Sequence, residues 1–329
     1  MDFKIKNILE NFNNLEIEKR KHDVRVGVIC GGISSEREIS LKTGEGIFNA
    51  LKRIGYNVQY IDFKGDNISV FKNIDIAFLA LHGKYGEDGT VQGVLELLKV
   101  PYTGSGILAS SLAIDKIFAK KIFVFEGIPT PDYIGLDLND SINFEEIKND
   151  VIKIIGYPLV VKPSREGSTI GITVIQDESD LEDAINFAKI YDQRILLEKF
   201  ISGRQFTVSL IGDKPIALPV IEIKPKSGFY DFKSKYTAGL TEYITPAVID
   251  TNLNERIKEL ALKTHNCLGC YGISRVDLML DENELPFILE INTMPGMTAT
   301  SLVPKAAAAA QISFEKLVEI ILNYSKLKM

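Results

Sequence analysis

The sequence predicts an α/β protein divided into two or three domains, and three observations lead there. Between Val24 and Leu81 apolar strands alternate with an amphipathic helical stretch, the pattern of an open sheet whose strands are joined through helices. Around Asp281-Glu282-Asn283-Glu284 two apolar runs alternate with polar residues, as in an antiparallel hairpin. The length, 329 residues, exceeds what one ordinary core organises. Hydrophobic residues at 45% and charged residues at 25% are globular values, and no apolar run approaches the roughly 20 residues of a membrane span. A net charge of -6 gives no general attraction to a nucleic-acid backbone, so neither nucleic acid nor membrane is expected as a partner. Cys30, Cys267 and Cys270 provide no disulfide framework, and Met-Asp-Phe-Lys-Ile-Lys lacks the apolar segment of a signal peptide, so a cytoplasmic location is expected. Cys267-x-x-Cys270 has no second cysteine pair and precedes a strand, which favours buried thiols over zinc or redox chemistry.

Residues 1–22 are rich in Asn, Lys and Glu, with a loose apolar spacing that fits either a docked helix or a frayed extension. The strand Val24–Ile29 ends in Gly31-Gly32 and passes through Ser34-Ser35-Glu36 into a helix, a place where backbone N–H groups face a ligand. The dinucleotide fingerprint and the P-loop are both absent. Strands at Val58–Ile61 and Ile74–Leu81 continue the α/β pattern, and ligands of such sheets gather at the carboxyl ends of strands, which sets His82 beside the same crevice as Glu36.

Pro101–Gly106 reads as a linker and Leu108–Phe125 as one helix carrying Asp115, Lys116, Lys120 and Lys121, residues that normally form a solvated face. A short strand ends at Lys162, a Ser- and Gly-rich loop follows from Ser164, and a second strand ends in Glu198-Lys199. Strand, loop and lysine can together fold over a triphosphate. The stretch Lys224–Gly239 is long for a loop inside a compact domain and reads as a lid over bound nucleotide.

In the hairpin, pairing Asp281 with Pro286 sets Asp277 opposite Glu290 and Arg275 opposite Asn292. Two carboxylates facing each other across a ladder repel, and among apolar neighbours an unpaired charge is expensive. Two carboxylates and an amide are hard oxygen donors suited to Mg²⁺; the alternative is a solvated surface hairpin.

Taken together, Gly31-Gly32-x-Ser34-x-Glu36-Arg37, Leu81-His82-Gly83 with Glu87-Asp88-Gly89, Lys162-Pro163-Ser164-Arg165-Glu166-Gly167-Ser168, Tyr230-Asp231 with Lys235-Tyr236, Arg275-Val276-Asp277, and Glu290-Ile291-Asn292 with Pro295-Gly296-Met297-Thr298 resemble the ATP-grasp carboxylate–amine ligases. Within them the chain is similar to the D-alanine:D-alanine ligases from Val24 to about Leu322.

The resemblance implies a three-domain ATP-grasp fold: an N-terminal α/β domain (23–105), a central lobe (106–198) and a C-terminal lobe (199–329) with a lid at 224–240. It implies ATP and D-alanine as substrates, two Mg²⁺ ions replaceable by Mn²⁺, and a homodimer. Asp277, Glu290 and Asn292 would hold the metals; Lys116, Lys162, Ser168 and Lys235 would meet the phosphates. Glu198, Lys199, Phe200 and Ile201 would meet the adenine edge, with Phe229 on its face and Gln205 at the ribose, where the family usually has an acidic residue. Glu36 would hold the first ammonium and His82 would lie near its carboxylate. Arg275 and the Gly296 N–H would face the oxyanion, Ser168 and Tyr236 the second amine, and Ser301 and Leu302 the second carboxylate. Tyr236 and Leu302 favour D-alanine over D-lactate or D-serine as acceptor. A catalytically silent ATP-binding module and a nucleotide-linked oxidoreductase are the readings from other classes.

Overall fold

The computed structural model describes residues 21–138, 143–226, 237 and 239–329. Three sheets carry the architecture. The first is parallel, with β1 (Arg25–Gly31) between β2 (Asn57–Phe63) and β3 (Ile76–Leu79). Six consecutive residues of β1 are buried, as expected of a central parallel strand covered on both faces. Helix α1 (Arg37–Arg53) lays Thr43, Ile47, Ala50 and Leu51 inward, and Gly44 lets it approach so closely that an added Cβ would stand 2.6 Å from the Cys30 sulfur. Burial raises the thiols of Cys30 and Cys267 to about 11 and that of Cys270 to about 12, so all three are inert packing residues at neutral pH.

The expected linker at 101–106 is instead a buried joint. Tyr102, Thr103 and Ser105 are buried, because hydroxyls satisfy the backbone that crosses there: Leu79 N donates to Thr103 Oγ1 (3.0 Å) and Tyr271 N to Ser105 Oγ (3.0 Å). After α2 (Thr90–Leu98), the single helix expected over 108–125 is two, α3 (Ile107–Ile114) and α4 (Lys116–Phe125). Asp115 breaks them with an extended ψ of 97°, caps Phe118 N, and accepts from Ser164 Oγ (2.7 Å) and Arg194 Nη1 (2.8 Å).

The central sheet has the order β4-β7-β5-β6, formed by β4 (Tyr133–Asp137), β5 (Leu159–Pro163), β6 (Thr173–Ile175) and β7 (Arg194–Lys199), all antiparallel. Helix α5 (Phe144–Asp150) and α6 (Leu181–Lys189) cover it; in α6 Leu181, Ala184, Ile185 and Ala188 form one apolar stripe. The third sheet runs β11-β10-β8-β12-β13, with β9 on β8: β8 (Arg204–Gly212), β9 (Ile216–Ala217), β10 (Ile221–Pro225), β11 (Thr241–Ile244), β12 (Gly272–Leu280) and β13 (Pro286–Asn292). Helices α7 (Thr251–Cys267), α8 (Leu302–Ala309) and α9 (Phe314–Asn323) pack around it. Val26, Val28 and Ile47 share one core with Val303, Ala306, Leu317 and Ile321, which packs the first sheet against the C-terminal helices. Among the described residues no helix is long and apolar enough to cross a membrane.

In the β12–β13 hairpin Asp277 pairs with Glu290 and Arg275 with Asn292, as expected, but nearer the turn the partner of Pro286 is Leu280, one residue away from the expected Asp281. A bulge between Asp277 and Leu278 reconciles the two registers, leaving Leu289 as the extra residue on β13.

Candidate active site

The strand ends, the hairpin and the loop after β13 converge on a cavity of roughly 1040 Å³. Glu36, at the start of α1, and His82, just past β3, form one wall; Lys116, at the start of α4, and Ser168, in the loop between β5 and β6, form another. Arg275, Glu290 and Asn292 rise from the hairpin, and Gly296, Ser301 and Leu302 close the far side. Ten residues placed by sequence reasoning from five separated stretches thus meet in one space. Lys162, Lys199, Phe200, Ile201, Gln205, Asp277 and Glu198 lie outside the lining of that cavity, while Phe229, Lys235 and Tyr236, with most of the expected lid, lie outside the described residues.

The Ser168 hydroxyl donates a short hydrogen bond to the Glu36 carboxylate, joining the central loop to the N-terminal domain. Ser168 and Thr169 hold φ of 52° and 63°, left-handed values that aim this turn inward. His82 is buried with Nε2 at 3.3 Å from Thr43 Oγ1 and Nδ1 at 3.8 Å from Glu87 Oε1. Burial works against charge on His82, but the neighbouring carboxylates of Glu87 and Glu36 outweigh it and raise its pKa; burial and then Glu36 raise that of Glu87. Glu87 itself was not singled out as a site residue from sequence, although it sits five residues after His82 in the same glycine-rich turn.

On the hairpin, Arg275 binds Asp277 in a fork, Nε to Oδ1 at 2.9 Å and Nη2 to Oδ2 at 2.7 Å, and Thr207 Oγ1 donates to Asp277 Oδ1 at 2.5 Å. Lys116 stands 3.4 Å from Glu290 and donates to Glu166 O at 2.8 Å. Each of the facing carboxylates thus has its own cation, which is how the ladder tolerates them. Asn292 Oδ1 accepts from Met294 N (2.9 Å), and Ser301 Oγ accepts from Thr298 N (3.0 Å), bending the loop toward the cavity.

Asp277, Glu290 and Asn292 share one face of the hairpin, and their oxygens are the hard donors that Mg²⁺ takes. Among the described residues no group of three or more His, Cys, Asp and Glu side chains gathers for a metal. A set of two carboxylates and one amide fits an ion that completes its shell with water and phosphate oxygens, and does not fit a closed structural site.

Glu198 is only 2% exposed, and its carboxylate lies between Lys162 Nζ (2.6 Å) and Lys120 Nζ (2.5 Å), so it is taken up by the two lysines. Burial alone would raise its pKa, yet the two ammoniums hold it below the usual carboxylate value. Lys120, read from sequence as part of a solvated face, is completely buried. The available signal was its spacing, one helical turn beyond Lys116 and so on the same face of α4.

Sequence models of the D-ala D-ala ligase C-terminus and N-terminus match residues 122–323 and 62–105. The chain belongs to the D-alanine–D-alanine ligase family. This ligase is 53% identical over 304 residues to a D-alanine–D-alanine ligase of Carboxydothermus hydrogenoformans, a match covering 91% of this chain and 97% of the relative. It is 39% identical to the crystal structure of the Bacillus anthracis D-alanine–D-alanine ligase, with a TM-score of 0.80 and coverage of 92% and 97%; the same enzyme complexed with ATP aligns at 38% identity and a TM-score of 0.78, covering 92% and 96%. The VanG D-Ala:D-Ser ligase of Enterococcus faecalis shares 30% identity at a TM-score of 0.80, covering 92% and 99%. The ligase is therefore an ATP-dependent enzyme of the ATP-grasp fold.

Proposed function

We propose that the ligase joins two D-alanines for peptidoglycan precursor synthesis in the cytoplasm, with Mg²⁺ as its metal, and works as a homodimer. The observation that carries the chemistry is the meeting in one cavity of the Glu36–Ser168 contact with Arg275, Glu290, Asn292 and the Gly296–Leu302 loop. A carboxylate is a poor electrophile, so the γ-phosphoryl group of ATP passes first to the carboxylate of D-alanine, giving D-alanyl phosphate and ADP. The second amine then attacks the acyl carbon, and the collapsing tetrahedral intermediate releases phosphate and leaves the dipeptide. Asp277, Glu290 and Asn292 would hold Mg²⁺, which would supply neutralisation of phosphate charge when bound.

The residues divide this work. Lys116 and Lys162 supply positive charge for the phosphates, and the Ser168 loop covers them. Glu36 holds the first ammonium, while the buried His82 faces its carboxylate. Arg275 and the Gly296 N–H stabilise the oxyanion, a contribution of about 3 kcal/mol per donor. Ser168, tied to Glu36, orients the second amine together with Tyr236, and Ser301 with Leu302 fixes the second carboxylate. Lys235 reaches the transferred phosphate, and Lys199, Phe200, Ile201, Gln205 and Phe229 surround adenosine.

The test is phosphate release from Mg-ATP with no amino acid, with D-alanine, with D-alanine plus D-lactate or D-serine, and with L-alanine, followed by mass analysis of the product. Release that requires D-alanine and yields the dipeptide supports the proposal. Preferential incorporation of D-lactate or D-serine moves the acceptor assignment, and saturable ATP binding without turnover overturns the catalytic reading.

A further inference from the structure

Lys120 has no role in the reaction as described, yet it is fully buried at the meeting point of all that positions the phosphate lysine Lys162. Its ammonium lies 2.5 Å from Glu198 Oε1, while Lys162 takes the other oxygen at 2.6 Å. It also donates a short hydrogen bond to Thr130 Oγ1 and stands 5.5 Å from the centre of the Tyr133 ring. Thr130 in turn donates to Ile288 O at 2.7 Å, and Ile288 N donates to Pro129 O at 2.8 Å. Both backbone groups of Ile288 are thus docked on this segment, and Ile288 borders the bulge that brings Glu290 opposite Asp277.

A carboxylate paired with one ammonium is a neutral unit with little attraction for a polyanion. Two ammoniums sharing one carboxylate retain a net positive charge, and in a water-poor site that charge acts over several ångströms. Lys120 is sealed away and cannot itself reach a ligand, whereas Lys162 ends the strand β5 beside the Ser164–Ser168 loop.

We propose that Lys120 is a positioning residue for ATP: by taking half of the Glu198 carboxylate it leaves Lys162 with the unneutralised charge that attracts the phosphates, and through Thr130 it holds the hairpin bulge in register with that charge. This inference rests on the ATP site proposed above.

The experiment compares equilibrium binding of Mg-ATP, Mg-ADP and adenosine to the full-length wild-type chain and to K120M, E198Q and K120M/E198Q, with thermal unfolding as the check on folding. In K120M the cluster becomes neutral, so affinity for ATP and ADP is expected to fall about tenfold while that for adenosine stays within about twofold. In K120M/E198Q the single net positive charge returns, and ATP affinity recovers to within about threefold of wild type. E198Q alone frees the Lys162 ammonium of its counter-charge, so ATP binds at least as tightly relative to adenosine as in the wild type. This arm decides the matter if K120M does not fold. Equal losses for ATP and adenosine, no recovery in the double variant, or weaker relative ATP binding in E198Q overturns the proposal. Failure of the wild type to bind ATP would instead overturn the function proposed above.

Discussion

Replacing Glu290 by Gln separates folding from chemistry at the hairpin. The substitution keeps the shape of the side chain and removes one charge. In the folded protein that charge faces Lys116 at 3.4 Å, with 32% of the Glu290 side chain exposed, so after solvent screening the ion pair contributes less than about 1 kcal/mol. The same change relieves the repulsion from Asp277 directly across the ladder, which offsets part of that loss. Stability is therefore expected to stay within about 1 kcal/mol of wild type. Catalysis is expected to respond very differently. An amide oxygen is a much weaker ligand than a carboxylate, and a metal contributes several kcal/mol of charge stabilisation; losing about 3 to 5 kcal/mol lowers turnover by about 10² to 10⁴. The assay is D-alanine-dependent phosphate release at saturating ATP, titrated with Mg²⁺ and paired with a thermal unfolding curve. Near-normal turnover at an unchanged unfolding midpoint would refute the reasoning.

Asp115→Ala removes a helix cap, a buried contact to Ser164 and a half-buried one to Arg194, and is expected to cost about 2 to 4 kcal/mol, seen as an unfolding midpoint lower by about 5 °C or more. Ser168→Ala deletes the donor to Glu36 and should lower turnover about tenfold or more with little change in unfolding temperature; unchanged kinetics would detach that hydrogen bond from the reaction. His265 is buried against Ser274 Oγ at 2.7 Å, and burial depresses its pKa to about 4. Its neutral form is the folded one, so its stabilising contribution is complete above the unfolded value of about 6.5 and is lost as pH falls toward 4. His265→Asn should flatten the pH dependence of stability within that window, and an identical slope in the two proteins would contradict the assignment.

The hairpin shows both the reach and the limit of local reasoning. The alternation of residues 273–292 assigns side chains to faces because the strand period is two, and it correctly sets Asp277 opposite Glu290. Counting outward from the turn, however, misplaces the partner of Pro286, since the bulge at Leu289 depends on Ile288 docking against Pro129 and Thr130, more than 150 residues earlier in the chain. Asp115 is a similar case. Nothing in Ile114-Asp115-Lys116 forbids a continuous helix, and the break is imposed by Ser164 and Arg194, which reach it from the central sheet.

By itself the sequence determined the α/β class, most strand positions and the glycine-rich turns, because side-chain period and turn residues are local properties. Tertiary structure alone decided which charges are buried and with whom. Lys120 looks like an ordinary surface residue until α4 and β7 pack, when the loss of water makes it and Glu198 necessary partners. The segment 101–106 likewise becomes a joint instead of a linker only when Thr103 and Ser105 find the backbone donors of Leu79 and Tyr271, from elsewhere in the chain.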